Sequence, residues 1–334
     1  MRSALLFISA LTFSGCLPAQ PTSLSGPVEA VTFDAPTRSL RAVNGFPGAA
    51  SFGPALLDSL DVASIAPRQN YGIVFQSGKC LFVSGLGSKI SAVAIGGVSS
   101  RPDGIAWSGD GSLAILYSHA GGWFQTIAGF PKAPVAGALV DVSSLGGAFT
   151  AVAADMPGQQ IVVAVSGENG AVYQSANGQF THLASMQKPI SLSFSSDSRT
   201  LYALDAATAE VTAVTLSSRG LQTMALPGIA NPIAIQSLAD SQNRQMLYVA
   251  GGSDRMVRVL DVASQQIVTD VPLIFQPTGL DPFGSNSFVL ASRSKSTNPL
   301  WLFSVTPLPA AYFVPAVQLL QPEHRSPTIA GRAR

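Results

Sequence analysis

Pro189-Ile190-Ser191-Leu192-Ser193-Phe194, then Ser195-Ser196-Asp197-Ser198-Arg199, then Leu201-Tyr202-Ala203-Leu204 is the stretch that decides the fold. It reads as strand, polar turn, strand: two short runs rich in β-formers flank a cluster of Ser and Asp. A second copy runs Pro102-Asp103-Gly104-Ile105-Ala106-Trp107, Ser108-Gly109-Asp110-Gly111-Ser112, Leu113-Ala114-Ile115-Leu116-Tyr117. Further copies open at Pro232 and Pro277, so the unit returns about every 43 residues. A fixed period of that length in a β-rich chain points to an all-β stack of small sheets, a single β-propeller with four-stranded antiparallel blades. A four-stranded sheet cannot bury both faces alone. Packed between neighbours it buries both, and its inner strands then read as continuous apolar runs. Leu201–Leu204, Ile161–Val165, Leu113–Tyr117 and Phe288–Ala291 are such runs.

Working outward, the units fall at about 56–98, 99–145, 146–186, 187–229, 230–273 and 274–320. A hairpin, Val28–Phe33 with Ser39–Val43, precedes them, and a Gly/Ala/Pro-rich loop, 44–54, follows it. Leu56-Leu57-Asp58-Ser59-Leu60 reads as one helical turn. Seven blades are preferred, with six as the alternative. The seventh requires the N-terminal hairpin to complete a blade with C-terminal strands, which would remove the open edge of the ring. The first strand of each unit is expected to line the ring axis. The propeller thus spans 28–320, and the tail 321–334 reads as disordered.

Residues 1–20 read as an export signal: Arg2, a short apolar stretch from Ala4 to Phe13, then small residues and proline. A polar linker, 21–27, follows. Phe13-Ser14-Gly15-Cys16 resembles the bacterial lipobox, which makes Cys16 a candidate lipidation site; cleavage after Ala19 is the competing route. The chain is therefore expected in the periplasm, at the cell surface or secreted, anchored by lipid if Cys16 is acylated. Cys80, in Lys79-Cys80-Leu81-Phe82-Val83, has no partner for a disulfide once the signal is processed and reads as a buried, inert thiol.

Only 11% of the 334 residues are charged and the formal net charge is +1, which gives no field to draw in nucleic acid. The 47% hydrophobic content argues against disorder, and no apolar run past the N-terminus is long enough for a membrane span.

Leu247-Tyr248-Val249-Ala250-Gly251-Gly252-Ser253-Asp254-Arg255-Met256-Val257-Arg258-Val259-Leu260-Asp261-Val262-Ala263-Ser264 resembles the YVTN-type β-propeller repeat. A Tyr-Val strand, a Gly/Ser turn, a Val-x-Val strand and an Asp-x-Ala turn succeed one another. Leu201-Tyr202-Ala203-Leu204-Asp205 with Val211-Thr212-Ala213-Val214 is similar. The resemblance implies a propeller, often exported, and no single activity. The Trp-Asp and Gly-His pairs of WD-type blades are absent.

No motif for catalysis, cofactor or metal stands out. His119, His182 and His324 have no metal-ligand spacing. Asp103, Asp110, Asp155, Asp197, Asp240, Asp254, Asp261 and Asp281 are read as turn residues, because no dense calcium-loop array surrounds them. The leading expectation is a monomeric, non-catalytic binding propeller for a protein, peptide or glycan, without cofactor. The alternative is an exported lactonase-like hydrolase with its site in the central funnel, for which Arg101, Asp103, Lys188 and His119 are the nearest candidates.

Overall fold

The computed structural model describes residues 28–316. Cys16, the export signal, the linker 21–27 and the tail 321–334 lie outside the described residues.

Seven antiparallel sheets follow one another along the chain. Blade 1 holds Val28–Asp34, Ser39–Asn44 and Ser51–Leu57. Blade 2 runs from Val62–Ile65 to Ser91–Ala94, blade 3 from Gly104–Trp107 to Val135–Asp141, and blade 4 from Ala148–Ala154 to Gln179–Ser185. Blade 5 runs from Pro189–Phe194 to Gly220–Ala225, blade 6 from Pro232–Ala239 to Gln266–Pro272, and blade 7 from Asp281–Phe283 to Ala310–Val314. Within each blade the strands pair in sequence order, and the first strands of neighbouring blades touch around the axis at every junction but that of blades 6 and 7. The repeat is therefore a seven-bladed β-propeller with its first strands innermost, as the spacing predicts. Among the described residues the only helical segments are two three-residue 3-10 turns, Ala35–Thr37 and Ser143–Leu145.

The core is seven separate hydrophobic clusters, one between each pair of adjacent blades. Side-chain alternation distributes one strand between two of them. In blade 5, Tyr202 and Leu204 pack toward blade 6, while Leu201 and Ala203 pack toward blade 4. In blade 3, Ala114 and Leu116 face blade 2, and Leu113 and Ile115 face blade 4. Both faces are buried, so the strand shows no polar alternation.

The turns use the expected chemistry. The Ser108 hydroxyl donates to Asp110 at 2.7 Å, that carboxylate accepts from the Ser112 amide at 2.9 Å, and the Ser108 oxygen accepts from the Leu113 amide at 3.0 Å. Ser195, Asp197, Arg199 and Thr200 repeat the same three bonds. Asp281 corrects the reading: it begins the inner strand of blade 7 and is not a turn residue.

Ring closure also differs from the expectation. The N-terminal hairpin pairs with Ser51–Leu57, so a third strand runs through the segment read as loop and helical turn. Blade 7 supplies all four of its own strands. Ser51–Leu57 is the outer edge of blade 1 among the described residues, carries Pro54, and shifts register twice against its partner. Proline is tolerated there because an edge strand leaves alternate amides unpaired. Side chains close the ring instead. Val43 and Ala50 pack with Phe283, Leu302 and Val314. The Tyr312 phenol donates to Glu29, and Arg293 of blade 7 donates to Asp34 of blade 1 at 3.0 Å.

Candidate functional site

The seven inner strands surround an axial channel of about 1340 Å³. An inner strand has a free edge facing the axis, so its amides and carbonyls need other partners. In blades 4 to 6 the neighbouring strand supplies them. The Ile235 and Ser237 amides donate to the Ser191 and Ser193 hydroxyls at 3.1 and 3.0 Å, and the Thr150 hydroxyl donates to the Pro189 carbonyl at 2.6 Å. Ala63, Ile105, Ala151 and Ser191 make the wall between the mouths largely small, apolar or hydroxylic, and Gln236 adds one amide.

Ionisable groups gather where the inner strands begin, the face that also carries the blade-to-blade crossovers. Gly104 starts the inner strand of blade 3 and pairs with Tyr117. A Cβ on Gly104 would lie 2.3 Å from the Tyr117 phenol oxygen, so the missing side chain is what lets the ring lie across the inner strand and reach the channel. His119 follows, its ring 4.9 Å from that of Tyr117 and perpendicular to Phe149 at 5.3 Å. Asp103 accepts from the Ser118 hydroxyl at 2.8 Å and from the Ala120 amide at 3.4 Å, and the Ser118 bond leads in holding its pKa below the usual carboxylate value. Enclosure lowers the His119 pKa, with the Asp103 charge opposing it, so the imidazole is neutral at pH 7.

Asp281 reaches the same mouth from blade 7. It lines the channel as an exposed side chain, and the protein around the mouth raises its pKa by desolvation. Burial, followed by the charges of Asp281 and Asp103, pushes Tyr117 up to about 12. Among the described residues the Asp281 carboxylate, the Tyr117 phenol and the His119 imidazole make no hydrogen bond to protein. Arg101 lines the mouth and donates to the Asp61 carbonyl at 3.3 Å, while the Asp61 carboxylate pairs with Arg38.

Of the four residues singled out from sequence, Arg101, Asp103 and His119 line the channel. Lys188 does not; its amide ties to Asp205 at 3.1 Å. His182 lies on an outer strand against the Ser185 hydroxyl at 3.0 Å, and His324 is outside the described residues. Cys80 is buried and its thiol is pushed up to about 12, which fits an inert thiol. Among the described residues no three His, Cys, Asp or Glu side chains are grouped to hold a metal ion, and no helix is long and apolar enough to cross a membrane. Sequence reasoning missed Tyr117 and Asp281. The glycine opposite Tyr117 was the available signal for the first. For the second it was a carboxylate in an inner strand, where blades 2 to 6 carry none.

Neither a protein-family model nor a curated protein sequence matches the chain. Solved structures match its fold. The dihydro-heme d1 dehydrogenase NirN superposes with a TM-score of 0.56 at 16% identity, over 90% of this chain and 66% of that one. A streptogramin B lyase gives 0.55 at 10% identity, over 77% and 84% of the two chains. The virginiamycin B lyase from Staphylococcus aureus gives 0.53 at 12% identity, over 83% and 91%. At these identities the likeness is one of propeller fold and carries no activity across.

Proposed function

We propose that this chain is a non-catalytic binding propeller of YVTN-repeat type, exported to the cell envelope or beyond, which recognises a protein, peptide or glycan at the entry face of its axial channel. The observation that carries the reading is the convergence of three polar side chains without protein partners, Asp281, Tyr117 and His119, over an open channel with an apolar and hydroxylic wall. Polar side chains that converge on a pocket without protein partners are free to bond a ligand there. The same face presents the exposed Phe46 and Ile274, apolar surface that suits a docking partner.

The hydrolase alternative has one observation in its favour: His119 is neutral at the mouth beside Asp103, as a general base must be. One experiment separates the two. The protein is incubated with peptides and glycans from envelope extracts, and bound species are read by native mass spectrometry beside a Gly279→Trp variant. A Cβ on Gly279 meets only Asp281 atoms, at 3.4 and 3.9 Å, so the new ring can plug the mouth. Recovery of an unchanged ligand, lost in the plugged variant, supports binding. Release of cleaved products establishes the hydrolase instead. Export is tested by fractionation: a Cys16→Ala variant that keeps its membrane attachment removes the lipid anchor.

A further inference from the structure

We propose that the axis-side edge of Val28–Asp34 is a docking site for the chain's own C-terminal segment Gln318-Leu319-Leu320-Gln321, which adds there as the first strand of blade 1. The segment lies outside the described residues, and the inference is independent of the binding reading above.

Blade 1 has three strands among the described residues where every other blade has four. Strand direction says which three they are. In blades 5 and 6 the inner strands run the same way, the Ile235 and Ser237 amides meeting the Ser191 and Ser193 hydroxyls in step. Val28–Asp34 runs against its neighbours. Its start lies beside the end of Asp281–Phe283, since a Cβ on Gly284 would be 3.4 Å from the Glu29 carbonyl oxygen. Its end pairs Asp34 with Arg293, which follows the second strand of blade 7, Ser287–Ala291. The turn after it meets the start of blade 2, where the Leu60 amide donates to the Arg38 carbonyl at 2.9 Å. That is the direction of a second strand. The turn sequence agrees: Asp34-Ala35-Pro36-Thr37 repeats Asp205-Ala206-Ala207-Thr208, the second-to-third turn of blade 5. Arg38, with φ at 51°, stands where Ala209, at 53°, completes that turn. Burial agrees as well. Second strands elsewhere are buried through Tyr71–Phe75, Val162–Val165 and Leu201–Asp205, whereas Glu29 to Phe33 are half-buried. Among the described residues the backbone of 30–33 pairs only with Ser39–Asn44, so its other edge has unused amides and carbonyls.

The course of the chain supplies the occupant. Each fourth strand leads to the next first strand over a crossover, 186–188 the shortest and 95–103 the longest. The fourth strand of blade 7 ends at Val314, and residues 315–334 follow it. A crossover of 315–317 has the length of 186–188 and brings Gln318 to the edge. Pro315 then precedes the strand as Pro102 precedes Gly104–Trp107, and Pro322 stops it. A four-residue strand matches Val62–Ile65 and Gly104–Trp107. Alternate residues of an inner strand face different neighbours, so Leu319 and Leu320 would cover apolar surface on both sides. In blade 3 Gly104 pairs with Tyr117 and Ile105 with Leu116; on that register Leu319 falls opposite Thr32.

The test oxidises the full chain carrying Thr32→Cys and Leu319→Cys and maps the link by digestion and mass spectrometry. Directly opposed strand residues lie within disulfide reach, and the native Cys80 is buried. A link between positions 32 and 319 of one chain is expected, and a Thr32→Cys, Ala333→Cys control should link far less. No link, equal linking in the control, or a link only between two chains overturns the proposal, the last by giving the edge to a second copy. Hydrogen exchange covers the case in which the cysteine variants misfold. The amides of 30–33 should exchange about tenfold more slowly in the wild type than in a Leu319→Pro, Leu320→Pro variant, which loses the pairing amide whichever of the two faces the edge. Equal exchange in the two proteins overturns the proposal.

Discussion

Replacing Arg293 with methionine tests whether two buried side chains do the closing that a shared sheet does elsewhere. The guanidinium is 1% exposed and its partner Asp34 is 0% exposed. Arg293 donates to Asp34 at 3.0 Å, to the Asn298 carbonyl at 2.8 Å and to the Ser296 carbonyl, and its face lies 5.1 Å from the Phe52 ring centre. Methionine keeps the apolar contact and removes every donor. Asp34 would keep the Thr37 hydroxyl at 2.5 Å and the more distant Arg41 at 3.4 Å, while its Oδ1, which already has no partner, stays unsatisfied. Breaking a buried pair by removing one partner costs about 3–5 kcal/mol. The residual Arg41 contact places the expected loss at the low end, about 3 kcal/mol. Removing both charges with Asp34→Asn and Arg293→Met should recover part of that loss, because no buried charge is then stranded. Equilibrium urea denaturation of the wild type, both single variants and the double variant measures it. A loss below about 1 kcal/mol for Arg293→Met, or a double variant equal to the sum of the singles, would refute a buried clasp between blades 7 and 1.

Other outcomes follow from the same geometry. Gly104→Ala should cost about 1–3 kcal/mol, the range for overpacking, and should expel the Tyr117 phenol from the channel, seen as a fall in its titration from about 12 toward 10 by ultraviolet absorbance. Asp281→Asn should lower the same titration with the fold intact. Cys80 should resist a disulfide reagent at pH 8 in the native protein and react fully once unfolded, since its thiol lies at about 12; rapid native labelling would contradict this. Burial raises the Glu29 pKa above the ordinary carboxylate value of 4.5, against the Tyr312 and Ser287 bonds that lower it. A raised pKa means that the folded state binds the proton more tightly. That contribution is complete below pH 4.5 and is lost as pH rises through the folded value. Glu29→Gln should therefore gain on the wild type in a denaturation series as pH rises toward 7, and a constant difference across pH would rule the linkage out.

The fold was readable because each interface between blades is written twice in the chain. Leu201-Tyr202-Ala203-Leu204 looks uniformly apolar because its alternate residues serve different neighbours, and only a ring of stacked sheets asks for that at a fixed period. Closure was hidden because Ser51–Leu57 has the composition of a loop. Gly53 and Pro54 argue against a strand wherever both edges must pair, and the sequence alone does not say that this strand ends its sheet. The site was hidden for a different reason. Asp103 and His119 stood out locally, but Tyr117 looked like one more core aromatic. Asp281, followed by Pro282, Phe283, Gly284 and Ser285, looked like one more turn aspartate. What sets Asp281 apart is its place at the channel, and the residue whose titration it raises, Tyr117, is 164 positions away in the chain. A ring brings such positions to one axis without leaving any mark in the spacing. An inner-strand carboxylate that serves no closure contact is therefore the feature by which to look for the mouth of a channel in a chain of this kind.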